Sequence, residues 1–156
     1  MRRALPLLIA CACVHGLPAG SPLPPVSVHT LGGEQVRLDR LSGPALVDFW
    51  ATWCVPCARS QPFYERLARE TGIQVIAISI DLDDAPVRAW LARHPASPFE
   101  VLRDPDGSAA EEVGMKQMPT SFLLDAGGRV RARYEGFREE DETVIERDVR
   151  ALLASR

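Results

Sequence analysis

Cysteine is scarce in this chain of 156 residues: there are four, and two of them, Cys11 and Cys13, sit near the start. Beyond them only Cys54 and Cys57 remain, which excludes a small secreted fold stapled by several disulfides. Histidine is equally sparse. A structural zinc site needs four ligands, and His29 and His94 stand far from the cysteine pair in no ligand-like spacing, so zinc is excluded on counting. A copper carrier would lack a histidine beside its thiols. There is no basic cluster and no basic stripe interleaved with aromatics, and the net charge is -3, so nucleic acid is not a partner. No apolar run reaches the roughly 20 residues of a comfortable membrane span. Internal repeats and low-complexity segments are also missing, which leaves one ordinary globular domain with a real core.

What the N-terminus does contain is an export pattern. Arg2 and Arg3 precede the apolar stretch Ala4–Val14, and Gly16–Pro25 follows, rich in glycine and proline. Residues 1–20 therefore read as an export signal, residues 21–25 as a stiff Pro-rich spacer, and residues 26–156 as the folded domain. Leu8-Ile9-Ala10-Cys11 resembles a bacterial lipobox, which implies lipidation of Cys11. Cleavage after Ala12 or near Ala19, and retention as an uncleaved anchor, are the alternatives.

Along the domain, Val26–Leu31, Gly32-Gly33 and Glu34–Leu38 read as a hairpin. Ala45–Trp50 is an apolar strand. Phe63, Leu67 and Ala68 recur at helical spacing after Cys57, and Gly72 is placed to cap that helix. Val75–Ile80 is β-branched and apolar throughout, as a central parallel strand is. Asp83 or Asp84 caps a second helix, which carries Pro86 in its first turn and buries Val87, Trp90 and Leu91. A short strand over 99–102, the turn Asp104–Gly107 and a brief helix through Val113 follow. Ser121–Leu124 and Val130–Tyr134 flank the turn Asp125-Ala-Gly-Gly128. The last helix presents Val144, Ile145, Val149, Leu152 and Leu153 on one side. This order predicts an α/β fold with a mixed sheet.

Trp53-Cys54-Val55-Pro56-Cys57 is the chemical centre. Two thiols at this spacing, where a buried strand gives way to a helix, can close and reopen a small disulfide ring. The first sulfur would sit at the helix N-terminus, where backbone N–H groups and the helix dipole favour a thiolate. The segment Val47-Asp48-Phe49-Trp50-Ala51-Thr52-Trp53-Cys54-Val55-Pro56-Cys57 resembles the active-site segment of thioredoxin-like proteins. Gly114–Asp125, with Met118-Pro119 inside it, resembles their second signature. With the N-terminal hairpin, the inserted strand–helix segment and the leader, the chain is most similar to the TlpA/ResA branch of exported thiol–disulfide oxidoreductases.

That resemblance implies a thioredoxin-like fold, a central mixed β-sheet flanked by helices, and a set of roles. Cys54 is the nucleophile, and Cys57 resolves the mixed disulfide. Asp48 takes the Cys57 proton, its pKa raised by burial. Trp53, Met118 and Pro119, the last after a cis bond, meet the substrate chain, and Pro62 supplies the family's helix kink. Val55 and Pro56 tune the pair: Pro56 has no N–H to offer a thiolate, which makes the couple less oxidising and points to a reductase. Two departures stand out. Where many thioredoxins carry a lysine near the buried acid, the aligned residue is Ala77. Where ResA-like proteins place a glutamate, it is Leu82, between Asp81 and Asp83, which read as a solvated helix start.

The expected partners are a disulfide-bearing substrate protein and a membrane thiol electron donor, with tethering by lipid or leader and a location in the periplasm or on the outer face of the membrane. No cofactor and no metal are called for. A peroxiredoxin-like peroxidase would need Thr or Ser three residues before its cysteine, and Ala51 stands there. A binding or chaperone module on the same fold typically loses a cysteine or the cis-proline, and this chain keeps both.

Overall fold

The computed structural model describes residues 17–155. Its elements run β1 (Ser27–Thr30), β2 (Gln35–Arg37), β3 (Ala45–Trp50), α1 (Val55–Thr71), β4 (Gln74–Ser79), α2 (Asp84–Arg93), β5 (Glu100–Arg103), α3 (Ser108–Glu112), β6 (Thr120–Leu124), β7 (Val130–Glu135) and α4 (Asp141–Ala154). The seven strands form one sheet in the order β2-β1-β5-β4-β3-β6-β7. β3 and β5 both pair in parallel with β4, and the remaining pairings are antiparallel, so the sheet is mixed.

β3 is central and buried along its whole length. Alternation of side chains along a strand sends Val47 and Phe49 to one face and Leu46, Asp48 and Trp50 to the other. The first face packs with Ile76, Ile78, Leu102 and Phe122, and is closed by α3 (Ala109, Ala110) together with Leu23 and Leu38. On the second face Leu46 packs with Tyr64 and Leu67 of α1 and with Ile145 and Val149 of α4. Trp50 clusters with the two cysteines and with Val87 and Trp90 of α2. Covered on both sides, the strand can be apolar at nearly every position; Asp48 is the exception.

α1 starts at the cysteine pair and stops where the chain needs a positive φ. Gly72 caps it at φ 73°, its amide bonded to Ala68 O, a conformation a side chain would strain. Pro62 lies inside the helix on its exposed side.

Three readings from sequence change. Residues 21–25 are not a free spacer: Val130 N–H donates to Ser21 O (2.8 Å), Pro22 bridges to Arg129 and Leu23 is fully buried, so this stretch is built onto the β6–β7 turn. Val144 is 42% exposed, because α4 is covered along Ile145 and Val149 and the neighbouring position rotates out. Asp83 occupies the cap position of α2 but makes no side-chain capping bond. Cys11, the expected lipidation site, and the rest of residues 1–16 lie outside the described residues.

Candidate active site

Cys54 is the N-cap residue of α1, directly after the loop that leaves β3, with Pro56 in the first helical turn. It is joined to Cys57 by a disulfide. The Cys57 amide donates to Cys54 Sγ at 3.2 Å, the kind of helix N-terminal N–H that also stabilises a thiolate there. The two sulfurs are not equivalent. Cys57 is wholly inaccessible, whereas Cys54 retains 7% of its surface. A disulfide or thiolate approaching from outside therefore meets Cys54.

The rim around Cys54 is apolar and open. Among the described residues the large exposed hydrophobics are Trp53 (64%), Val55 (63%), Leu82 (78%) and Val144, and the first three lie on the segments framing the pair. Met118 packs partly against the cluster that holds the cysteines. The Met118–Pro119 and Gly43–Pro44 peptide bonds are cis. Pro119 is buried and its carbonyl accepts from Gly136 N–H at 2.7 Å, while Thr120 Oγ1 donates to Gln117 O at 2.7 Å. Arg133 fixes the approach to this loop by donating to Val113 O and Gly114 O. A cleft of about 440 Å³ lined by Pro44, Asp125, Arg129 and Arg131 lies at the opposite end of β3 and touches neither sulfur.

On the face of β3 that α1 covers sits Asp48, 2% exposed. Its cross-strand neighbours are Ala77 on β4 and Ser121 on β6. Ser121 Oγ donates to Asp48 Oδ1 at 2.7 Å. Burial pushes the carboxyl up from 3.8 to about 7, with the Ser121 hydrogen bond opposing that rise. Ala77 supplies no cation to counter it. Cys57 and Tyr64, seven residues apart on α1, share its buried face on this side of the sheet. Trp50 and Trp90 pack together in the same layer with ring centroids 5.0 Å apart and planes tilted by 59°, as core rather than rim.

Asp81 corrects the reading from sequence. It is buried, not solvated, and ties down the loop that carries the cysteines. Thr52 N–H (2.9 Å) and Thr52 Oγ1 (2.6 Å) both donate to its carboxylate, and so does Ser79 Oγ at 2.8 Å. Arg103, also buried, braces the same segment by donating to Asp81 O and pairing with the Asp84 carboxylate. Sequence reasoning passed over Thr52 and Arg103. The one local hint was the Ser79-x-Asp81 spacing at a strand end, a pattern that favours side-chain bonds to nearby backbone; Asp81 N–H indeed donates to Ser79 Oγ.

No group of three or more potential metal-ligating side chains is gathered among the described residues. The site offers a cysteine pair, a buried carboxyl on the strand that α1 covers and an apolar rim, a set suited to thiol–disulfide exchange. A cysteine pair at this junction of a mixed, helix-flanked sheet defines a thioredoxin-like thiol–disulfide oxidoreductase. The solved structures agree: a putative thiol:disulfide interchange protein DsbE from Chlorobium tepidum superposes with a TM-score of 0.76 at 34% identity, covering 88% of this chain and 99% of that one. The chain belongs to the Redoxin family, whose model matches residues 18–152. Among curated proteins it is 34% identical to the thiol:disulfide interchange protein DsbE of Pseudomonas fluorescens biotype C, over 88% of this chain and 83% of that protein. It is 28% identical to the thiol-disulfide oxidoreductase ResA of Bacillus thuringiensis subsp. konkukian, over 90% of each.

Proposed function

We propose that this enzyme is an exported reductase of protein disulfides, working through Cys54 and Cys57 with Asp48 as proton acceptor. The observation that carries the reading is the asymmetry of the pair: an accessible sulfur at a helix N-terminus and a buried one on the face of α1 that packs against the sheet, on the side to which β3 sends Asp48. In the reduced enzyme the Cys54 thiolate attacks a substrate disulfide. One substrate sulfur joins Cys54, and the other leaves as a thiolate with the bonding pair. Cys57 then gives its proton to Asp48, and its thiolate attacks Cys54 Sγ. The mixed disulfide breaks, the second substrate sulfur leaves as a thiolate, and the enzyme is left oxidised as Cys54–Cys57. Two substrate sulfurs are reduced and two enzyme sulfurs oxidised. A membrane thiol donor reverses the change.

Trp53, Met118 and Pro119 receive the substrate chain, whose backbone can pair with the exposed loop at Met118. Val55-Pro56 hold the couple on the reducing side, since Pro56 offers no N–H to the Cys54 thiolate. The leader delivers the domain across the membrane, with lipid on Cys11 as one form of tether. The substrates are cysteine pairs of exported proteins, such as the haem-site cysteines of apocytochrome c or the copper-site cysteines of an oxidase. Support for the exported setting comes from the leader and from the similarity to DsbE and ResA proteins. No helix among the described residues is long and apolar enough to cross a membrane.

Trapping tests the reading. Cys57→Ala should arrest the mixed disulfide on Cys54, and mass spectrometry of the trapped species names the substrate. A wild type that reduces disulfides while Cys57→Ala captures nothing would count against attack by Cys54. Retained activity in Cys54→Ser would overturn the enzyme reading itself. Mass spectrometry of the processed N-terminus decides between lipid on Cys11, cleavage elsewhere and an intact start.

A further inference from the structure

Tyr64 is buried on the face of α1 that carries Cys57, and disulfide exchange as described has no use for its hydroxyl. That hydroxyl lies 2.8 Å from Ser121 Oγ, and Ser121 Oγ lies 2.7 Å from Asp48 Oδ1. The three side chains form a continuous polar thread through an otherwise apolar layer, two hydrogen bonds long. We propose that Tyr64 and Ser121 are positioning residues that set the acidity of Asp48, Tyr64 acting through the orientation it imposes on the Ser121 hydroxyl.

The direction of the thread follows from counting hydrogens. Tyr64 and Ser121 have one O–H each. Among the described residues Ser121 is the hydrogen-bond partner of the Tyr64 hydroxyl, and a buried O–H without an acceptor is costly. Tyr64 therefore donates to Ser121. With its oxygen accepting, the Ser121 hydrogen turns to Asp48, which can only accept when ionised. Both bonds thus favour the carboxylate over the acid and hold Asp48 near neutrality instead of letting burial drive it further up. Tyr64 keeps its own proton throughout, because burial and the Asp48 charge both push its phenol well above the ordinary range.

The neighbourhood leaves little else to set Asp48. Across the sheet it faces Ala77 on β4 and Ser121 on β6, and from α1 the titratable groups are Cys57 and Tyr64. Tyr64 in turn feels Tyr134 of β7 and Asp141 of α4, both at the far end of the thread. The inference deepens the proposed role of Asp48 as base, and its test separates the two. The Asp48 carboxyl is titrated directly by carbon-13 NMR in the oxidised full chain, in wild type, Tyr64→Phe, Ser121→Ala, Ser121→Thr and the Tyr64→Phe/Ser121→Ala double variant. The pH profile of substrate release is measured in parallel.

Loss of a hydrogen bond to a charged acceptor predicts an upward shift of about one pH unit in Ser121→Ala. At pH 7 that lowers the ionised fraction, and with it the release rate, about fivefold. Tyr64→Phe should shift the midpoint the same way by only about 0.2–0.3 unit, the share a second bond adds by polarising the first. Ser121→Thr, which keeps the hydroxyl, should titrate as wild type. On the Ser121→Ala background, Tyr64→Phe should add nothing, since Tyr64 acts through Ser121. Unmoved Asp48 titrations in Tyr64→Phe and Ser121→Ala would overturn the proposal, and so would a full Tyr64→Phe effect on the Ser121→Ala background. If the titrations shift as predicted and the release profile does not follow, the thread stands and the role of Asp48 as base for Cys57 falls.

Discussion

Replacing Asp48 by asparagine should make the oxidised protein more stable in alkali than in acid, relative to wild type. The sign follows from where each state binds the proton. In the unfolded chain the carboxyl titrates near 3.8; in the fold burial raises it to about 7. Between those values the folded state holds a proton that the unfolded state has released, so wild-type stability falls as pH rises. The contribution is fully present below about pH 4 and lost once the pH has passed through about 7. A difference of about three units at 1.36 kcal/mol each amounts to about 4 kcal/mol. The asparagine side chain of the Asp48→Asn variant carries no charge at any pH, and its carbonyl can still accept from Ser121. Its own amide hydrogens add a penalty, but the same one at every pH. Urea unfolding of both proteins, oxidised so that neither cysteine titrates, at pH 4 and pH 8 gives four free energies. The variant's advantage should grow by about 4 kcal/mol from the acid to the alkaline condition. Other buried acids, such as Asp104, titrate in both proteins and cancel. An advantage that changes by less than about 1 kcal/mol would refute the assignment of a raised, burial-driven acidity to Asp48.

Two neighbouring acids should behave oppositely. Asp81→Ala leaves the Thr52 and Ser79 donors unpaired and should cost roughly 3 kcal/mol, whereas Asp83→Ala, on an exposed residue without a capping bond, should stay within about 0.5 kcal/mol of wild type; urea unfolding of the pair checks this. Leu82→Asp, at the open rim, should leave stability unchanged and lower kcat/KM for a protein disulfide severalfold while sparing a small-molecule disulfide. Equal losses on both substrates would mean that Leu82 acts on the sulfurs and not on the docked chain.

What could be read from sequence is what is local. The β3 run, the cysteine spacing, Pro56 in the first helical turn and Gly72 at the helix end each declare themselves within a few residues, and the structure places them as read. Asp81 was misread because its neighbours in sequence are Leu82, Asp83 and Asp84, a run that looks solvated. The partner that buries it, Thr52, is 29 residues away. The thread behind the site is more remote still, with 57 residues from Tyr64 to Ser121 and 73 from Ser121 to Asp48. Ser21–Pro25 looked like a spacer on composition alone, and only its contacts with Val130 and Arg129 place it in the domain. Val144 shows the converse error. Helical periodicity names an apolar face, but how wide a strip of it is covered depends on the neighbouring elements.

The period of the strand explains why the proposed base falls at Asp48 in particular. Side chains alternate along β3, so an acid at Val47 or Phe49 would enter the layer closed by α3, among Ile76, Ile78 and Phe122, with no cysteine in reach. At Leu46 it would face the same layer as α1 but sit among Leu67, Ile145 and Val149, farther from the start of the helix. At Trp50 it would displace the ring that packs on Trp90 in the cluster that also holds both cysteines. Among these positions, 48 combines the face of α1 with a cross-strand hydroxyl at Ser121. The carboxylate is costly there at neutral pH for the reason that suits it to the proposed role as base: the water that would stabilise its charge is absent, and burial lifts its pKa to about 7, where it can take up a proton near neutral pH.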